Sequence, residues 1–162
     1  MTAGKGTLVG IASRVASRAP MAVLDAVEVS VAAGIVGDCK GLKFRKRQVT
    51  VLAEEAWAAA CAAVGAELPW TARRANLLTR NVIFPRARGA RLSIGGLLLE
   101  VTGQTYPCRR MEEVRPGLLK ALAPEWRGGL TCTVIAGGAI RLGDAVEILS
   151  SPQAELPLPL PS

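Results

Sequence analysis

Ala90-Arg91-Leu92-Ser93-Ile94-Gly95-Gly96-Leu97-Leu98-Leu99-Glu100-Val101-Thr102 is a pair of short apolar runs joined by two glycines. A Gly-Gly step between such runs is a hairpin signal, because glycine reaches the positive-φ conformations that a tight turn needs. The same grammar recurs on either side. Leu130–Ile135 reads as a strand, Gly137-Gly138 turns it, and Ala139–Ile148 reads as its return. Upstream, Thr7–Ile11 and Gln48–Leu52 read as strands, and Asp25–Val31 alternates polar with apolar residues at period two. Helical spacing is confined to two places. In Ala53–Val64, Trp57, Cys61 and Val64 form an apolar stripe, Glu54 and Glu55 suit the first turn, and Gly65 suits the C-terminal cap. In segment 117–123, Leu118, Leu119 and Leu122 share a face. Many short strands and two modest helices predict a mostly β chain with some α, a single-domain mixed β-barrel with peripheral helices. No repeat or linker divides it. The expected domain runs over residues 5–149, with 150–162 as a mobile proline-rich tail.

The chain has 162 residues, of which 50% are hydrophobic and only 4% aromatic. That is enough to bury a core, and no apolar run reaches the length of a membrane span. The N-terminus shows no apolar segment ahead of a cleavage site, so the expected location is cytoplasmic, with no membrane partner. A net charge of +7 calls for an anionic partner, either a nucleic acid or a phosphorylated small molecule, or else reflects a solvated basic surface. Basic residues gather at 40–47, 73–91 and 109–115, mostly in segments that read as loops. A nucleic-acid-binding barrel is the alternative reading, but the few aromatics are scattered rather than interleaved with the charge, which leaves only a non-specific term.

Histidine is absent. This excludes Ser-His-Asp and Cys-His catalysis, histidine-ligated zinc and an imidazole base. The four cysteines (Cys39, Cys61, Cys108 and Cys132) form no C-x-x-C pair, which argues against a cysteine-only zinc knuckle. Cys61 lies on the packing stripe of its helix. Cys132 alternates with threonines and faces a core or a pocket wall. Cys108 differs from both. It sits in Tyr106-Pro107-Cys108-Arg109-Arg110, ahead of a helical segment, where guanidinium charge and a helix start would favour thiolate over thiol. The competing reading is a buried structural cysteine.

Three further stretches carry candidate ligand groups. Arg73-Arg74-Ala75-Asn76 offers forked guanidinium donors and an amide, which suit an oxyanion, unless this is a solvated turn. Arg127-Gly128-Gly129 allows close backbone approach to a ligand or to another strand. Asp38 follows Gly37 and is free to bond local amides or a neighbouring cation.

Taken in order, Gly34-Ile35-Val36-Gly37-Asp38, Arg47-Gln48-Val49-Thr50, Arg74-Ala75-Asn76-Leu77, Gly95, Pro107-Cys108, Arg127-Gly128-Gly129 and Gly143-Asp144-Ala145-Val146 resemble the MOSC family, the domain found at the C-terminus of molybdenum cofactor sulfurases. The resemblance implies a mixed β-barrel and a cysteine engaged in molybdenum cofactor chemistry. Cys108 takes that position, either as a molybdenum ligand in relatives that reduce N-hydroxylated compounds or as a carrier of sulfane sulfur. Arg74 and Asn76 match the family's anion-binding Arg-x-Asn. With Arg127, Gly128 and Gly129 they would hold the phosphate and pterin of the cofactor (molybdopterin). Lys43, Arg47 and Arg109 would add positive field, and Asp38 would orient the basic loop. Whether the protein is an oxidoreductase, a sulfur-transfer protein or a non-catalytic scaffold is left open at this level. Two departures bear on it. Several stand-alone relatives carry a His-Gly-Gly segment where this chain has Lys43-Phe44-Arg45-Lys46-Arg47. The ferredoxin domain of some larger relatives has no counterpart, so a reductive role would need a separate reductase, and a sulfur role a donor or acceptor protein.

Overall fold

A computed structural model describes residues 4–106 and 108–150, the last by its backbone only. Strand β1 (Lys5–Ser13) is followed by the short β2 (Ala22–Val23), β3 (Ala26–Ser30) and β4 (Gly34–Ile35). A basic loop with a 3-10 turn at Arg45–Arg47 leads into β5 (Val49–Ala53), α1 (Glu54–Ala63), a second 3-10 turn at Trp70–Arg73 and β6 (Leu77–Arg80). Then come β7 (Arg91–Ile94), β8 (Leu97–Gln104), α2 (Arg109–Val114), α3 (Leu118–Leu122), β9 (Leu130–Ala136), β10 (Gly138–Arg141) and β11 (Ala145–Ser150). The proline-rich tail, apart from the backbone of Ser150, lies outside the described residues, as does Pro107.

The predicted hairpin is present. β7 and β8 pair antiparallel from Arg91↔Glu100 to Ile94↔Leu97, with Gly95 at φ 56° in the turn. The main sheet runs β11-β7-β8-β9-β5-β6-β1, and β1 pairs back onto β11 to close a seven-stranded barrel. The β5–β6 pair is parallel and the other barrel pairs are antiparallel, so the barrel is mixed. α1 is the crossover that makes a parallel pair possible.

One expected strand is two. The return reading of Ala139–Ile148 fails because the chain turns at Gly143 (φ 94°), where Asp144 Oδ2 accepts the Arg141 N–H at 2.9 Å. β10 pairs with β3 in a separate three-stranded sheet, while β11 joins the barrel. The helical region after Cys108 is likewise divided. α2 ends before Pro116, and Gly117 (φ 92°) starts α3, with Glu112 accepting the Gly117 and Leu119 amides at 2.9 and 3.3 Å.

Two apolar cores hold these layers. Leu8, Ile11, Val51, Leu77, Leu92, Leu99, Cys132 and Val134 fill the barrel interior. Leu52, Trp57, Cys61, Leu78, Met111, Leu118 and Leu122 fill the space between the barrel wall and the helices. Each such large side chain contributes about 1.5–3 kcal/mol on leaving water. Strand β5 serves both cores, with Val51 inward and Leu52 outward, as the period of a strand requires. The second core seats α2 and so fixes where Cys108 stands relative to the barrel mouth. Cys61 falls in this core, as its stripe position predicts.

Candidate functional site

Loops at one end of the barrel enclose a cleft of about 440 Å³. Its walls come from the turn after β1 (Arg14, Ser17), the basic loop (Lys40, Phe44, Arg47) and the second 3-10 turn (Arg73, Arg74). Further walls are the end of β8 (Gln104 to Tyr106), the start of α2 (Cys108, Arg110) and Gly128. Cations therefore dominate the lining: Arg14, Lys40, Arg47, Arg73, Arg74 and Arg110. No carboxylate belongs to that lining. The ion pairs among the described residues, Lys5–Glu147, Arg80–Glu54, Arg86–Glu125 and Arg91–Glu100, all involve other cations.

Arg73 is the most deeply set of these cations, at 7% exposure. Its Nε donates to the Gly128 carbonyl and its Nη2 to the Thr105 carbonyl, both at 3.0 Å. Burial pulls its pKa below the usual arginine value, and the nearby Cys108 opposes that shift. Arg74 follows in the left-handed region at φ 65°. It donates Nη2 to the carbonyls of Ser17 and Ala19, while its buried Nε has no partner in the protein. Burial lowers its pKa, and the neighbouring Arg14 and Arg110 lower it further. An orphaned guanidinium N–H in a cluster of like charges is a donor set built for an anion.

Beneath the cleft lies a closed polar network. Asn76 is fully buried. Its Nδ2 donates to the Ala12 carbonyl at 3.1 Å and to Asp38 Oδ1 at 3.3 Å. Its Oδ1 accepts the Thr50 backbone N–H at 3.0 Å and the Thr50 hydroxyl at 3.2 Å. Asp38, also buried, accepts the amides of Arg14 and Lys40 at 3.0 and 3.3 Å. The network ties three loops that carry cleft cations to strand β5.

Lys40 completes this arrangement, with Nζ donating to Thr50 Oγ1 at 3.2 Å. Its pKa is lowered to about 8. Burial is the main cause, with Arg14 and Arg47 adding to it while Asp38 and Cys39 oppose it.

Cys108 is an exposed free thiol at the N-cap position of α2, and its side chain makes no capping hydrogen bond. Cys61 and Cys132 are buried, and burial pushes the Cys132 thiol far up. Iodoacetamide added to the folded protein is therefore expected to label Cys108 well before Cys61 or Cys132, read by peptide mass spectrometry. Equal labelling of the three would contradict this placement.

The sequence-derived candidates divide into groups. Cys108, Arg74, Arg47 and Gly128 meet at the cleft, Gly128 using its carbonyl to hold Arg73. Asn76 and Asp38 lie beneath it with their polar atoms engaged by the protein, so they frame the site rather than face a ligand. Lys43 and Arg109 are exposed and outside the lining. Arg127 turns the other way, donating Nη1 to the Ala121 carbonyl at 3.1 Å and lining a different pocket beside Trp126. Gly129 is held in a turn, its N–H on the Trp126 carbonyl and its carbonyl on the Thr105 N–H. At φ 105°, a Cβ there would come within 2.5 Å of the Val51 carbonyl oxygen, so this glycine serves close packing against β5. Arg14, Lys40 and Phe44 are cleft residues that the sequence did not single out. The available signal for Lys40 was Asp38 two residues before it, a carboxylate able to fix its backbone.

A closed mixed barrel with a cationic mouth and one exposed cysteine defines the class. The MOSC domain model matches residues 31–147. The chain belongs to the MOSC domain family. Solved structures agree at the level of fold. The YuaD protein from Bacillus subtilis is similar with a TM-score of 0.75 at 17% identity, covering 89% of this chain and 95% of that one. YiiM from Geobacillus stearothermophilus gives 0.64 at 16% identity, covering 90% and 73%, and YiiM from Escherichia coli gives 0.67 at 15%, covering 89% and 70%. Comparison with the curated proteins returns no match.

Proposed function

We propose that the Cys108 cleft receives the phosphate-bearing pterin of the molybdenum cofactor, with Cys108 as a thiolate ligand to molybdenum or as a carrier of sulfane sulfur. The observation that carries this reading is a cleft of drug-sized volume, lined by six cations (Arg14, Lys40, Arg47, Arg73, Arg74, Arg110) without a carboxylate, beside an exposed thiol. Arg74, with its orphaned Nε, and Arg14 and Arg110 beside it would take the phosphate. Phe44 and Tyr106 line the same cleft with exposed rings and would flank a planar heterocycle. A thiolate is a soft ligand suited to molybdenum or to persulfide chemistry. Among the described residues no group of three or more metal-ligating side chains exists, so the fit is to a metal that arrives with its own ligands. When bound, the cofactor would supply a metal centre for electron-pair or sulfur transfer, and the chain's own residues bind, orient and screen it.

Metal and sulfur analysis of the full chain, purified from a host that makes the cofactor, tests this reading. Molybdenum near one per chain supports the ligand role. Metal-free protein with cyanide-labile sulfur on Cys108 supports the carrier role. Protein with neither, that also retains only oligonucleotide in a salt-resistant manner, would overturn the reading in favour of a nucleic-acid module.

A further inference from the structure

Few groups at this cleft can exchange a proton near neutrality. The chain has no histidine, no carboxylate is on the lining, and arginine stays charged. Among the lining residues, Lys40 is the amine, and burial lowers its pKa toward neutrality. We infer that Lys40 is the proton-exchanging residue of the cleft, an amine whose protonation is coupled to the binding of an oxyanion such as a phosphate monoester. The inference rests on the reading of the cleft as an anion site.

The geometry comes from Thr50. Its hydroxyl donates its one hydrogen to Asn76 Oδ1 at 3.2 Å and accepts the Asn76 N–H at 3.1 Å. The remaining lone pair accepts from Lys40 Nζ at 3.2 Å. Thr50 therefore has no hydrogen to give to a neutral amine. A neutral Lys40 keeps one N–H on Thr50 and leaves its nitrogen lone pair unengaged by that hydroxyl. Protonation converts the lone pair into another donor at the wall of the cleft. Asp38 fixes the Lys40 backbone through its N–H, so the amine is presented from an anchored loop.

The surrounding charges set where this happens. Asp38 and Cys39 on the same loop favour the ammonium, while Arg14 from the turn after β1 and Arg47 from the 3-10 turn disfavour it, and burial disfavours it most. The balance puts the titration at about 8. An anion between Lys40 and these arginines relieves the repulsion and draws a proton from solvent onto the amine. The sign follows directly. The protonated form binds, so affinity is full below this value and falls as pH rises through it.

Sulfate is the probe, because it is a dianion throughout this range and adds no titration of its own. Its dissociation constant is read from amide shifts of the full chain at pH 7 and pH 9. If only the protonated form binds, wild type is expected to weaken about tenfold between the two. Lys40→Arg is expected to bind with equal strength at both, and Lys40→Met to bind at pH 7 more weakly than wild type does at pH 9, where about a tenth of the amine is still protonated. A tenfold loss that persists in Lys40→Arg would overturn the inference by assigning the proton to another group, and pH-independent binding by wild type would overturn it as well. Absence of saturable binding in wild type at both pH values would instead overturn the anion-site reading beneath it.

Discussion

Cys108→Ser is expected to lose more than about nine-tenths of its bound molybdenum, or of its cyanide-labile sulfur, while keeping the fold. Loss on this scale corresponds to removal of about 1.4 kcal/mol or more of binding, a modest figure for deleting a soft ligand. For persulfide the loss is total by chemistry, since a serine hydroxyl forms no S–S bond. The fold survives because the thiol is exposed, makes no hydrogen bond at its cap position and belongs to neither apolar core. Surface substitutions of this kind fall within about 0.5 kcal/mol. Serine is also a better N-cap than cysteine, so α2 is not weakened by the change. The measurement is molybdenum by mass spectrometry and sulfur by cyanolysis, with a thermal melt beside each. A variant that retains its full load, or one that unfolds, would contradict the assignment of Cys108 as a functional rather than a packing residue.

Asn76→Ala is expected to act the opposite way, on stability first. The substitution removes the acceptor of the Thr50 N–H and hydroxyl and the donor to Ala12 and Asp38. It leaves a buried carboxylate with one fewer donor and a buried backbone amide without its partner. Each unsatisfied buried group costs about 1–3 kcal/mol, so a total loss of roughly 3–5 kcal/mol is expected on chemical denaturation. Marginal stability makes that enough to threaten folding at physiological temperature. A loss below about 1 kcal/mol would show that water replaces the amide and that the network is not structural. Asn76→Asp separates volume from bonding. It fills the space but places a second carboxylate against Asp38, and it is expected to be no better tolerated than alanine.

Individual strands and helices were legible because their signals are local. The Gly95-Gly96 turn, the period-two alternation before Gly34 and the alanine-rich stripe of α1 each depend on residues within one element. The pairing of β10 with β3 was not legible, because a contact between Ile140 and Val27 has no signature in either segment. The splitting of the last predicted strand follows from the same limit, since Gly143 reads alike as a strand glycine or a turn.

In the site, chemistry and position separate. The sequence located Cys108 and the Arg73-Arg74 pair. It did not show that Arg73 enters the wall while Arg74 spans to the turn after β1, since both outcomes follow from a 3-10 turn ending in a left-handed residue. Asn76 reads from sequence as a ligand-facing amide. Burial and its four bonds make it a scaffold residue instead. Arg127 and Gly128 are adjacent, yet they serve different pockets, because the chain crosses between them. Lys40 escaped notice because a lysine in a basic loop reads as solvated until Asp38, Thr50 and burial are placed around it.

The central claim is that the cleft's cations hold a phosphate-bearing pterin. It is tested most directly by incubating the purified full chain with molybdenum cofactor freshly released from a donor enzyme. Free cofactor is then removed by gel filtration, and the retained pterin is measured by fluorescence after oxidation. Wild type is expected to retain it. Arg74→Glu is expected to retain about one-tenth or less, since a charge-assisted hydrogen bond of about 1.5–3 kcal/mol is lost and repulsion replaces it. Equal retention by both proteins, or none by wild type, would contradict the claim.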